Sequence, residues 1–304
     1  MSNDYEPHLD IALRHAAPGR AGTQVPHLDL RVGHARTAGT PCLYRSMVCF
    51  ILQGAKRVAI NDEVFSYDSS HYLVSALDLP LMGEVLDADR SRPYVAVSLV
   101  LDPALLAELA AMMGPEREAD AGGIGIAINP MTAQLRDVLL RLLSLLDTPD
   151  DIPVLAPMVE RELLYRLLQG PQGRLLRQIA RPDGSLARIR RAVAWIRDHH
   201  DKQLRIEALC EASGMSRPSL HRHFLAITGF SPLQYQKQLR LQEARRLLLA
   251  GERNASAVAF AVGYESASQF SREYLRQFGA PPARDVRQVR RQIEEAVFKR
   301  PPFI

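Results

Sequence analysis

At 304 residues, with 47% apolar and 24% charged side chains, the chain is long enough for two domains with separate cores. It has no apolar run of the ~20 residues that span a bilayer, no basic-then-apolar secretion signal after Met1, and no CxxC spacing among its cysteines Cys42, Cys49 and Cys210; the expectation is a cytoplasmic protein with reduced thiols and neither a metal nor another cofactor. The net charge of +4 is uneven: residues 185–304 hold 21 Lys and Arg against 11 Asp and Glu (net +10), whereas residues 1–184 hold 17 against 23 (net −6). A basic segment beside an acidic one fits a nucleic-acid binder joined to a part with a different partner.

Along the chain, residues 1–24 are polar and contain Pro18-Gly19-Arg20-Ala21-Gly22, so a poorly ordered lead-in is expected. Strand-like runs follow at His27–Val32, Met47–Leu52, Arg57–Ile60, Glu63–Phe65, Tyr72–Ser75 and Tyr94–Leu101, with Asn61-Asp62 as a turn. Their spacing of roughly ten residues predicts a barrel or sandwich. From Pro103 the pattern turns helical. Met131, Leu135, Val138, Leu142 and Leu145 form a stripe that either pairs two subunits across residues 131–146 or packs on its own barrel. A helix over Val159–Leu168 ends at Gly170-Pro171, and Arg181-Pro182-Asp183-Gly184 reads as a linker.

The basic segment contains an internal repeat. Leu220, Arg222, Phe224, Gly229 and Pro232 recur fifty positions later as Phe270, Arg272, Tyr274, Gly279 and Pro282. Upstream the offset is 49, matching Ala208, Leu209, Ala212 and Gly214 to Ala257, Val258, Ala261 and Gly263, so one residue has been gained in a turn. Each copy reads as helix, tight turn, helix. Gly214 stops the first helix, Ser216 caps the second, and Leu220 and Phe224 at i, i+4 are buried. Arg217, Pro218, Ser219, His221 and Arg222 are then left near or on the outer face. In the second copy the outward set is Ala267, Ser268, Gln269, Ser271 and Arg272. Such a helix suits the major groove, where Arg makes bidentate contacts to guanine and Ser contacts any base. Pro232–Ala250 is helical by pattern, and its 19 residues span about 28 Å, close to one turn of B-DNA. Lys202, Lys237, Arg240, Arg245 and Arg246 are candidate phosphate contacts.

At these residues the chain resembles the AraC/XylS family of bacterial transcription regulators. The second copy carries the matching stretch Ala257–Ser266, then Phe270-Ser271-Arg272 and Phe278-Gly279-Ala280-Pro281-Pro282. The resemblance implies that Pro218, His221 and Arg222, and Ala267, Ser268, Ser271 and Arg272, touch bases of double-stranded DNA, and that RNA polymerase is a partner, as for an activator. One departure is visible. The family's usual Pro-x-x-Tyr-Arg ending reads Pro282-Ala283-Arg284-Asp285-Val286 here. The N-terminal half resembles the cupin-like effector domains of one AraC subgroup through Pro41–Tyr44, Leu52–Arg57, Tyr67-Asp68, His71–Val74 and Leu79-Pro80. In such regulators a small barrel binds an effector and adjacent helices dimerise.

The expected fold is therefore α+β: a cupin-like β-barrel with flanking helices over residues 25–180, and an all-α domain over 185–290 with two helix-turn-helix units joined by a long helix. Residues 291–304 are read as a tail. The expected function is a DNA-binding regulator that senses an unidentified small molecule. Two alternatives use other chemistry. A thiol sensor would use Cys42, or Cys49, as a cysteine of lowered pKa near Arg45 or Lys56. A cupin-type metal enzyme would need converging imidazoles, whereas His71 lacks a His-x-His partner, so no catalytic residue is expected. The histidines His199, His200, His221 and His223 read as solvated, and Cys210 as packing.

Overall fold

The computed structural model describes residues 5–17, 21–37, 39–61, 63–114, 124–251 and 254–298. The Pro18-Gly19-Arg20 segment, Asp62 and the end of the expected tail lie outside them. The chain divides into two compact units, residues 1–190 with 226–229 and residues 191–225 with 230–304. Among the described residues no helix is long and apolar enough to cross a membrane.

The first unit opens with α1 (Glu6–His15), where a lead-in was expected. Its Leu9, Ile11 and Ala12 are buried, and His8 Nε2 lies 2.9 Å from the Arg136 carbonyl oxygen. Among the described residues nine strands follow: β1 (Leu28–Gly33), β2 (Thr40–Tyr44), β3 (Met47–Gln53), β4 (Ala55–Ile60), β5 (Glu63–Asp68), β6 (His71–Ser75), β7 (Leu79–Asp87), β8 (Tyr94–Val100) and, after α2 (Pro103–Met112), β9 (Ile126–Pro130). They build two antiparallel sheets, β1-β8-β3-β6-β9 and β2-β7-β4-β5. Gly54 joins β3 to β4 at φ +88°, and a Cβ there would lie 2.4 Å from the Asp87 carbonyl oxygen, so only glycine fits this turn. Asn61, at φ +50°, turns β4 into β5, a left-handed position that Asn tolerates.

The helices α3 (Ala133–Ser144), α4 (Ile152–Gln169) and α5 (Gly173–Ala180) complete this unit. Thr132 caps α3 by accepting from the Leu135 N–H at 3.2 Å. Leu135, Val138, Leu142 and Leu145 are buried in their own domain. Met131 is half-buried and the other four side chains of the stripe over residues 131–146 are core, so of its two readings the structure favours packing within its own domain over a seam between two copies.

The second unit is helical: α6 (Ser185–Asp198) from Arg191 on, α7 (Ile206–Ser213), α8 (Arg217–Thr228) as far as Leu225, α9 (Pro232–Ala250), α10 (Ala255–Ala261), α11 (Ala267–Phe278) and α12 (Pro282–Phe298). The expected linker falls between α5 and α6, and α12 runs through much of the expected tail. Val258, Ala259, Val262, Tyr264, Phe270 and Tyr274 pack on Leu241, Ala244 and Leu248 of α9 in one core. The spacer helix therefore supplies one wall of the second helix-turn-helix unit.

Candidate DNA interface

The first helix-turn-helix unit is α7 and α8. Gly214 ends α7 at φ +64°, and its N–H and that of Met215 close back on Glu211 and Cys210. Leu220 and Phe224 of α8 are fully buried, which fixes the opposite face outward. Arg217, Pro218, His221 and Arg222 are exposed, and Ser219 is half-buried. In the second unit Asn254 caps α10 and Ser266 caps α11, each side chain accepting a backbone N–H three residues on. Phe270 and Tyr274 are buried, while Ser268, Gln269, Ser271 and Arg272 are exposed and Ala267 is half-buried. Both copies thus present the expected residues on one helix face. Among the described residues Arg217, Arg222 and Arg272 have no carboxylate partner. Their guanidinium groups are uncommitted.

The helix α9 ties the two units together. Ser231 and Gln234 form a reciprocal capping box at its start. Toward the segment between α6 and α7, the Gln236 amide donates to the Lys202 carbonyl at 2.7 Å, and Arg240 donates to the carbonyls of His200 and Lys202 at 2.5 and 2.8 Å. Toward the second, the Arg240 guanidinium lies over the Tyr264 ring, and Lys237 pairs with Glu273 at 2.8 Å. Glu273 also accepts from the Tyr264 hydroxyl at 2.9 Å, and burial with this bond pushes that phenol well above its usual range. Gly263 lies in the same junction at φ +88°, where a Cβ would come 2.0 Å from the Asp201 carbonyl oxygen.

This network sorts the candidate phosphate contacts. Lys202 is exposed, and Arg246 is exposed beside Glu243 one turn away, a pair worth little. Lys237 and Arg240 are engaged as described. Arg245 is a correction. Its side chain is 13% exposed and grips the 7% exposed Asp285 with two bonds of 2.8 Å, so it cannot reach a phosphate. Asp285 also accepts from the buried Tyr274 hydroxyl at 2.7 Å, which together with burial drives that phenol far above its usual range. The position at which the family ending departs therefore closes the domain by another route, an acid joining α9, α11 and α12. Sequence reasoning missed it because Arg245 and Asp285 stand on different helices with no shared spacing.

The histidines divide unexpectedly. His199 and His200 direct Nδ1 at the Trp195 and Arg197 carbonyls at 2.9 Å, and His223 at the Ser219 carbonyl at 2.9 Å. These three finish or brace helices, and only His221 is exposed as read. The cysteines of the first unit are also corrected. Burial pushes the thiols of Cys42 and Cys49 above their ordinary value despite the nearby Lys56 and Arg31, the opposite of what a reactive thiolate needs. Among the described residues no cluster of three His, Cys, Asp or Glu side chains could hold a metal ion.

Comparison with known proteins agrees with this architecture. The family described as AraC-type transcriptional regulator N-terminus matches residues 24–175, half of the chain, and a helix-turn-helix domain family matches residues 209–288. The chain belongs to the AraC family of transcription regulators. Among curated AraC-type relatives it is 35% identical over 104 residues to the transcriptional activator RhaS of Escherichia fergusonii, covering 34% of this chain and 37% of that one. It is 32% identical over 148 residues to RhaS of Salmonella arizonae, covering 48% and 50%. The chain thus spans half or less of the length of these relatives. Two structures of ToxT from Vibrio cholerae share the fold. One, bound to an unsaturated fatty acid, has a TM-score of 0.54 at 12% identity over 85% of this chain and 94% of that one. The other, bound to a methylnaphthyl butenoic acid, has a TM-score of 0.55 at 11% identity over 86% and 98%.

Proposed function

We propose that this chain is a sequence-specific DNA-binding transcription regulator whose α8 and α11 enter successive major grooves on one face of the duplex. The observation that carries the reading is the pair of exposed recognition faces with uncommitted arginines, braced on one helix. At 1.5 Å per residue α9 spans about 28 Å, near the ~34 Å between successive major grooves. Pro218, His221, Arg222, Ser268, Gln269, Ser271 and Arg272 are the base-reading set, with Arg217 and Lys202 toward phosphates. The test is selection of the full chain on a random duplex pool, followed by gel shifts at several salt concentrations. The expected result is enrichment of two short elements about ten base pairs apart, with affinity falling steeply as salt rises. Absence of any enriched element at low salt overturns the reading.

In the same reading the first unit senses a small organic molecule, RNA polymerase is the partner at promoters, and the chain works as a homodimer. ToxT, which shares the fold, has been captured with organic acids bound. The dimer face moves from α3 to α4. There Val154, Met158 and Tyr165 share a helix face and are 62%, 63% and 41% exposed, far more than a monomer needs to leave open on one stripe.

A further inference from the structure

The internal repeat keeps one outward position that hydrogen bonding to bases does not explain. Most exposed positions of α8 and α11 have diverged: across the fifty-residue offset Pro218 corresponds to Ser268, His221 to Ser271 and Ala226 to Arg276. Two have kept their residue. One is Arg222 with Arg272, already in the base-reading set, and the other is Leu225 with Leu275. These leucines are 55% and 45% exposed, so neither belongs to the cores that Leu220, Phe224, Phe270 and Tyr274 fill.

Helix geometry places both leucines in the middle of the recognition face. Leu225 stands seven residues after Pro218, close to two full turns, and four and three residues after His221 and Arg222. Leu275 has the same relation to Ser268, Ser271 and Arg272. Seven residues rise about 10 Å, less than the ~12 Å width of the major groove. A helix seated with Pro218 or Ser268 at a base edge therefore keeps its leucine within the groove, even where the helix crosses it.

A leucine bonds neither to phosphate nor to the polar atoms of a base edge. In the major groove it meets one methyl group, that on C5 of thymine. A single exposed leucine calls for no explanation. Two at equivalent positions of a repeat, beside Arg222 in one copy and between Arg272 and Arg276 in the other, do call for one. The arginines draw both faces to an anionic surface, and one leucine on each face is too small an apolar patch to seat a protein.

We infer that Leu225 and Leu275 each read a thymine through its C5-methyl, beside the base that Arg222 or Arg272 reads by hydrogen bonds. The inference rests on the proposed entry of α8 and α11 into the major groove and adds one base to each element. Leucine and arginine stand three residues apart, a rise of about 4.5 Å against ~3.4 Å between base pairs. The thymine therefore lies within about two base pairs of the guanine that suits the arginine. Contact takes the leucine and the methyl out of water together.

The test takes the full chain and the duplex enriched from the random pool, and replaces its thymines one at a time by deoxyuridine. That base lacks the C5-methyl and keeps every hydrogen-bonding group. Competition gel shifts are expected to show one thymine in each element whose replacement weakens binding about fourfold, the worth of one buried methyl-sized group. Leu225→Ala is expected to abolish that loss in the element bound by α8 and leave it in the other, and Leu275→Ala to do the reverse. Both side chains are exposed, so the variants keep the fold. Elements without thymine near the guanine, a duplex indifferent to deoxyuridine, or losses that persist in both variants overturn the inference. Leucines that serve a protein partner instead give one of the last two results. Any of the three, obtained on a duplex with two enriched elements, overturns the thymine contacts alone. Failure to enrich any element overturns the regulator reading, and the thymine contacts with it.

Discussion

Asp285 shows how much one side chain can carry when it is buried between three helices. It takes two bonds from Arg245 and one from Tyr274, all of them 2.8 Å or shorter. Removing one member of a buried ion pair leaves the other charge stranded, at a cost of about 3–5 kcal/mol. Asp285→Asn is therefore expected to lower the urea midpoint of the helical unit strongly, whereas Arg245→Met with Asp285→Leu in one chain lowers it less. Equal losses in the single and double variants would show that the pair is not what matters. A second residue sets a pH limit. His8 is buried beside the Arg136 carbonyl, and desolvation lowers its pKa from the ordinary 6.5. Its unfolded form takes a proton more readily than its folded form, so the stability it supports is present above 6.5 and falls as pH drops through the folded value. His8→Gln should flatten the acid side of the first unit's stability curve, measured by thermal midpoints across pH 5–8. The base-reading residues have a simpler expectation. His221→Ala or Arg272→Ala should each cost about 1–3 kcal/mol on the selected sequence and less on a scrambled one, read by competition gel shift.

The elements divide by how local their cause is. Both helix-turn-helix units were legible because each repeats a local instruction: a glycine that accepts positive φ, a capping side chain, and an apolar pair at i, i+4. The strongest strands were legible for a similar reason, since Met47–Gln53 and Tyr94–Val100 are nearly continuous apolar runs. What escaped was decided by distant partners. Helix α1 has a polar sequence and owes its place to four side chains buried against the barrel unit. Strands β2 and β9 are short and end their sheets, so pairing rather than composition defines them. The α3 stripe was read correctly as a helix face, but spacing alone could not say which surface the face meets. In the proposed dimer the apolar face is that of α4, where Val154 and Met158 face outward. Met158→Glu there should shift the light-scattering mass from dimer to monomer while leaving the thermal midpoint unchanged.

At the scale of the molecule, sequence reached the family and the order of an N-terminal β part and a C-terminal helical part, but not the bonds that hold α9 within the helical part. Of the residues that lock α9 to its neighbours, Lys237 and Arg240 were read from sequence as candidate phosphate contacts, and nothing in their spacing pointed to Gln236 or Glu273. In the fold Lys237 pairs with Glu273 and Arg240 is held by backbone carbonyls and the Tyr264 ring, whereas among the described residues Arg217, Arg222, Arg272 and Arg276 of α8 and α11 have no carboxylate partner.

The bracing of α9 at both ends has a consequence for the DNA as well as for the protein. A flexible joint would let the two helices find their elements at various separations. This joint does not, because Arg240 holds the carbonyls of His200 and Lys202, between α6 and α7, while lying over Tyr264 of the second helix-turn-helix unit. In the proposed reading the spacing between the elements is therefore as much a part of the operator as their bases. Inserting one base pair between them turns the far element by about 35° around the duplex axis and moves it along by about 3.4 Å. The second helix would then face backbone where it needs a groove, and such a site should bind no better than one with the far element erased.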